Sequence, residues 1–99
     1  MQAHYPEAFD RDVGSTEAEW LAQLPGAANG NAVEIGSGAA RIAVGAGELL
    51  LAWQVLPPRR IALIELPRLA VRFRFEGVGD EARHAFMRYF DRYMQRGGG

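Results

Sequence analysis

Arg68, Arg72 and Arg74 fall in LPRLAVRFRFEG, where apolar and charged residues alternate as they do along a half-buried strand. Alternate strand positions project to one side about 7 Å apart, a spacing close to that of phosphates in nucleic acid, so the row has the chemistry of an anion binder. Arg41, on another candidate strand, is placed to join it. A structural role competes with that reading: pairing with Glu34, Glu48, Glu65 and Glu76 across strands would contribute about 0.2–1 kcal/mol per pair. Sheets that bind RNA also add exposed rings for base stacking, whereas Phe73 and Phe75 have the opposite parity and should be buried. A second polar group, His84, Arg88, Asp91, Arg92 and Gln95, forms one stripe at helical spacing and has the character of a solvated helix face.

Catalysis has few candidates. The hydroxyl nucleophiles are Ser15, Thr16 and Ser37, two of them at a helix start, and His4 and His84 are the two histidines. The chain has neither HExxH nor an acidic calcium-loop pattern, and with no cysteine it lacks thiolate chemistry, disulfides and cysteine-based metal sites. No catalytic, metal or cofactor site is assigned. AVEIGSGAA resembles the first loop of methyltransferases that bind S-adenosylmethionine, and more loosely the dinucleotide fingerprint. Both need a helix directly afterwards, and RIAVGAGELLL instead has strand alternation and two further glycines, which makes GSG a hairpin turn. The terminal RGGG resembles the diglycine tails of ubiquitin-like and sulfur-carrier proteins, which leave a strand; here it follows a candidate helix, so a helix stop is expected.

What must position these residues is one small domain spanning 1–99. A chain of 99 residues can bury a single core, and 48% hydrophobic with 23% charged residues is an ordinary globular composition. The net charge of −1 argues against a generally basic nucleic-acid binder, yet charge is uneven: seven acids face two arginines in residues 1–50, and nine arginines face five acids in 51–99. The start, MQAHYPEAFDRDV, has neither a basic leader nor a signal-length apolar run, and no stretch approaches the roughly 20 apolar residues of a membrane span. A cytoplasmic protein without a membrane partner is expected.

Thr16 and Glu19 form an S/T-x-x-E capping box, so a helix starts there, and Pro25–Gly26 should stop it after two to three turns. Residues 1–13 read as irregular or extended. Val33 with Ile35, Ile42 with Val44, and the series Leu49, Leu51, Trp53 and Val55 then alternate as strands, punctuated by GSG, GAG and PPRR. Links this short suit antiparallel hairpins. Pro67 leaves 61–76 as one bent strand, which is preferred, or two. Asp80 caps a final helix over about 81–96, with Ala82, Ala85, Phe86, Met87, Tyr89, Phe90, Tyr93 and Met94 on its apolar arc; residues 97–99 should be a frayed glycine tail. The expected fold is an α+β two-layer sandwich of order α-β-β-β-β-α. An antiparallel meander of four or five strands carries the short N-terminal and long C-terminal helices on one face.

LPPRRIALIELPRLAVRFRFEG followed by FMRYFDRYMQRGGG resembles a family of short, uncharacterised proteins from GC-rich proteobacteria, over roughly residues 53–99. The resemblance implies a bacterial, cytoplasmic protein and brings no activity to carry over. Leu50, Ala52, Leu56, Ala70 and either Ile64 or Leu66 share the outer sheet face with the arginines, a docking surface suited to a protein partner or a second copy of the chain. The expectation is a non-catalytic interaction or self-associating domain, with candidate surface residues Arg41, Leu50, Arg68, Arg72, Arg74, His84, Arg88 and Arg92. Anion or nucleic-acid binding through the arginine row is the alternative, and a small enzyme the third reading.

Overall fold

The computed structural model describes residues 4–97. The elements are β1 (Ala8–Val13), α1 (Glu17–Ala27), β2 (Val33–Gly36), β3 (Ala39–Val44), β4 (Gly47–Ile61), β5 (Ile64–Glu76) and α2 (Asp80–Gly97). All strand pairs are antiparallel, in the order β1-β5-β4-β3-β2, so β2 to β5 form a meander and β1 is added at its far edge. Both helices pack on one face of this sheet, giving the expected two-layer α+β domain. Trp20 of α1 meets Trp53 of β4 and Phe90 of α2, while Phe90 meets Phe73 and Phe86 meets Phe75, all with rings inclined edge to face at 5.7–6.2 Å. Rings in this arrangement bury large apolar areas and add a quadrupolar attraction.

The N-terminal segment, expected to be irregular or extended, contains a paired strand ahead of α1. The DRD run at 10–12 hides the alternation in the sequence. Its register with β5 explains it: Phe9 and Val13 turn to the core face and Asp10 and Asp12 to the outer one, where arginines wait. Phe9 lies stacked on Phe73 at 4.7 Å.

α1 has the anticipated cap. Thr16 Oγ1 accepts from the Glu19 amide at 3.1 Å, and Glu19 Oε1 accepts from the Thr16 amide at 3.0 Å. Those bonds favour the ionised Glu19 carboxylate and lower its pKa. Pro25 and Gly26 do not stop the helix, which runs to Ala27 and ends where Asn29 and Gly30 take positive φ. Packing overrides local preference here, because Gly26 lets the Tyr93 ring of α2 lie against α1: a Cβ at Gly26 would meet the Tyr93 oxygen at 2.1 Å.

GSG and GAG make the β2–β3 and β3–β4 hairpins, closing the pairs Gly36–Ala39 and Val44–Gly47. The third hairpin departs from expectation. PPRR is no turn; it is a bulge within β4, where the register with β5 shifts between Leu56 and Arg59, and the chain reverses at Ala62–Leu63 instead. Ile61 therefore belongs to β4, and residues 64–76 form one strand through Pro67. Beyond Leu56 and Arg68 the hairpin outruns both β1 and β3, whose last partners are Leu69 and Ala52, and becomes a bare two-stranded arm. The molecule is accordingly elongated, 46 × 29 × 21 Å.

On α2 the buried arc differs from the expected one. Ala82, Ala85 and Tyr89 are exposed, whereas Arg83 is buried at 5% exposure beside Phe86, Met87 and Phe90. Each nitrogen of its guanidinium has an acceptor: Nε donates to the Tyr5 carbonyl at 2.7 Å, Nη1 to the Val78 carbonyl at 3.0 Å, and Nη2 to Asp80. A buried charge is tolerated when it is paired and hydrogen-bonded, and these bonds tie the segment before β1 to the start of α2. Gly97 ends α2 as described; Gly98 and Gly99, the rest of the expected tail, lie outside the described residues.

Candidate functional site

The candidate residues divide between two sides of the molecule. Arg41, Leu50, Arg68, Arg72 and Arg74 are on the outer sheet face, since their partners across the ladder have the parity opposite to the buried Leu49, Leu51, Val71 and Phe73. His84, Arg88 and Arg92 belong to α2, on the other layer.

On the outer face each arginine of the row meets a carboxylate. Arg68 Nε donates to Asp12 Oδ2 at 3.1 Å, Arg72 Nε to Asp10 Oδ1 at 3.1 Å, Arg74 lies 3.5 Å from Glu76, and Arg41 lies 3.2 Å from Glu48. Glu34 stands opposite Arg41 in the register but makes no ion pair among the described residues. The Arg68 guanidinium lowers the Asp12 pKa by direct hydrogen bonding, and Asp12 in turn raises that of Arg68. Asp10 and Asp12 could not be foreseen as partners while residues 1–13 had no strand assignment. An anion on this face would have to displace carboxylates already in place.

The arm extends the same face. Cross-strand partners share a side, so Leu56 with Arg68, Arg59 with Leu66, and Ile61 with Ile64 all lie on the outer surface of the arm, with Leu63 fully exposed at its tip. Ile61, Leu63, Ile64 and Leu66 are all large, apolar and exposed; Val55 is exposed as well, but on the opposite face, in the parity of Leu51 and Trp53. Scattered surface hydrophobics need no explanation, but a contiguous group does. The arm's edges are blunted by Pro57, Pro58 and Pro67, which cannot donate to an added strand. At the root of the arm, where Ala52 and Ala70 leave little side chain, the outer face dips into a shallow hollow of about 400 Å³ bordered by Asp10, Gln54 and Arg72.

The helical side holds a cleft of about 520 Å³ between β1, α1 and α2. Val13, Trp20, Phe73, Phe90 and Met94 supply its apolar wall. Along one side runs a polar cluster that sequence periodicity misplaced, because Asp91 is turned inward. Arg11 Nη1 and Nη2 donate to the two Asp91 oxygens at 2.6 and 3.1 Å, and the Tyr5 hydroxyl donates to Asp91 Oδ2 at 2.7 Å. The Arg11 guanidinium also lies over the Phe9 and Phe73 rings, 5.1 and 5.2 Å from their centres. Burial, then the bond to the Asp91 carboxylate, raises the Tyr5 pKa, so the phenol stays protonated and keeps its donor. His84 does not line the cleft but backs Tyr5: its Nε2 accepts from the Tyr5 amide at 3.5 Å and its ring packs against Tyr5 and His4.

Among the described residues, no group of three histidines or carboxylates is arranged to hold a metal ion, and no helix is long and apolar enough to cross a membrane. No protein-family model matches the chain, and a comparison with curated proteins finds no relative.

Proposed function

We propose that the chain is a non-catalytic, self-associating interaction module in which two copies pack outer face to outer face, each laying its β4–β5 arm across the other's sheet. The observation that carries this is the arm itself: Ile61, Leu63, Ile64 and Leu66, four exposed large hydrophobics on the outer surface and tip of a hairpin that no helix among the described residues covers. An isolated two-stranded ribbon is marginal in water and gains from a surface to lie on. A second copy fits that surface in charge and shape. Four arginines and four carboxylates alternate over the outer face, so two such faces meet without net repulsion. A two-fold axis crossing the middle of the arm, half-way between its tip and its root, would bring each Leu63 over the hollow at Ala52 and Ala70 of the other copy, an isologous arrangement that closes on itself. The proline-blunted edges favour side-chain packing over strand addition. The proposal carries the bacterial, cytoplasmic setting that the family resemblance implies.

Sedimentation of the protein at high micromolar concentration tests this. A dimer is expected that persists at raised salt and dissociates in L63D, and also in A70W, which fills the hollow without touching the arm. A wild-type monomer at that concentration overturns it. So does tight binding to an oligonucleotide that weakens steeply with salt, which would instead assign the face to a phosphate backbone.

A further inference from the structure

The cleft on the helical side combines features that point to a small ligand and that the interaction reading does not use. Its volume of about 520 Å³ lies within the range of small-molecule sites, and its wall is largely aromatic. Trp20, 2% exposed, contributes to that wall and has an indole N–H with no acceptor among the described residues. That nitrogen has almost no accessible area, so Trp20 offers the cleft the face of its ring and not its N–H. The charges are uneven as well. Asp91 is occupied by Arg11 and Tyr5, and Asp12 by Arg68. Arg88 and Arg92 also line the cleft; they are exposed, one turn apart on α2, and neither forms an ion pair among the described residues. The negative charges of the cleft are thus matched, while two guanidinium groups at its mouth are not.

We propose that this cleft binds a small organic acid with an apolar body. The body lies against Phe73, Phe90 and the Trp20 ring, and the carboxylate is held by Arg88 and Arg92. Guanidinium groups recognise carboxylates with short, charge-assisted hydrogen bonds, which gives the site its preference for acids over neutral analogues.

The probe is 4-phenoxybutyrate, which joins a ring and a carboxylate; 4-phenoxybutan-1-ol lacks the charge. The sequence has two tryptophans, and the indole of Trp53 is already engaged, donating to Glu17 at 2.7 Å, so amide spectra of the full chain contain an internal control. The Trp20 indole resonance is expected to move on titration while that of Trp53 stays. The acid should bind at least about tenfold more tightly than the alcohol. In R88A/R92A, with an unchanged Trp53 signal reporting an intact fold, the acid should fall to the affinity of the alcohol. A Trp20 indole that does not respond to 4-phenoxybutyrate up to its solubility limit overturns the proposal, as does an R88A/R92A variant that binds the acid as well as the parent.

Discussion

β4 and β5 are each two different strands in one. Over Gly47–Trp53 and Leu69–Glu76 they form the floor of the core, with every second residue under a helix; over Leu56–Ile61 and Ile64–Arg68 the same strands run on with nothing above them. Hydrophobicity does not separate the halves, since Ile61, Leu63, Ile64 and Leu66 are as apolar as Leu49, Leu51, Leu69 and Val71. Geometry does. A helix advances about 1.5 Å per residue and a strand about 3.3 Å, so the 18 residues of α2 reach about 27 Å while the 15 of β4 reach about 50 Å. One long helix cannot cover one long hairpin, and the excess hairpin becomes a surface for something outside the fold.

The largest contrast comes from truncating one side chain in each half. Phe73, 1% exposed and in contact with the rings of Phe9 and Phe90, should cost about 3–5 kcal/mol as F73A in chemical denaturation. Leu63, at the tip, should cost under about 0.5 kcal/mol as L63A when measured on the monomer at low concentration. A large loss in L63A under those conditions would mean that the arm folds back on its own domain, and the two-halves description would fail.

A smaller effect should mark where the core half begins. Gly47 closes the β3–β4 hairpin against the end of β5, and a Cβ there would lie 2.2 Å from the Glu76 carbonyl oxygen and 2.4 Å from that of Gly77. Backbone atoms cannot swing aside as the Tyr93 ring could from Gly26. G47A should therefore destabilise by about 1–3 kcal/mol, the usual range for forced overpacking, with lost amide protection spreading along Glu48–Leu51 and leaving the arm unaffected.

The core half was largely legible in the sequence because its signals are local and mutually consistent. The capping box at Thr16 and Glu19, the strict alternation of Leu69 to Phe75 and the two glycine hairpins all describe their surroundings directly. The misreadings arise where a distant partner decides. Asp10 and Asp12 make β1 look like a charged loop until Arg72 and Arg68 stand beside them. Pro57 and Pro58 are turn formers in isolation, yet a bulge accommodates them in a strand whose neighbour is only β5. Asp91 reads as a solvent-facing charge and Arg83 falls on neither assigned face, because nothing local announces the Arg11 guanidinium that meets the one or the Tyr5 carbonyl that meets the other. The cleft draws its walls from Tyr5 to Gln95, so no window of sequence contains it. That Arg41, Leu50, Arg68, Arg72 and Arg74 lie on one layer and His84, Arg88 and Arg92 on the other was legible, since strand parity and helix periodicity are local signals; the carboxylates that occupy the row were not.

The smallest effect belongs to the arm's reversal, which had no recognisable turn residue. Ala62 sits at φ 53°, in the left-handed region that an L-residue with a Cβ enters at a cost of roughly 1–2 kcal/mol and glycine enters freely. Part of that gain is offset because glycine also loosens the unfolded chain, so A62G should stabilise the hairpin by about 0.5–1 kcal/mol. Where this appears depends on how the halves are joined. If the arm opens independently of the core, amide exchange across residues 56–66 should slow about two- to fivefold while the global unfolding midpoint stays where it was. A midpoint that rises with the full gain, with core amides slowing equally, would show one cooperative unit instead. In that case the bare arm contributes to the stability of the whole sheet, and the contrast between the halves would be one of exposure alone.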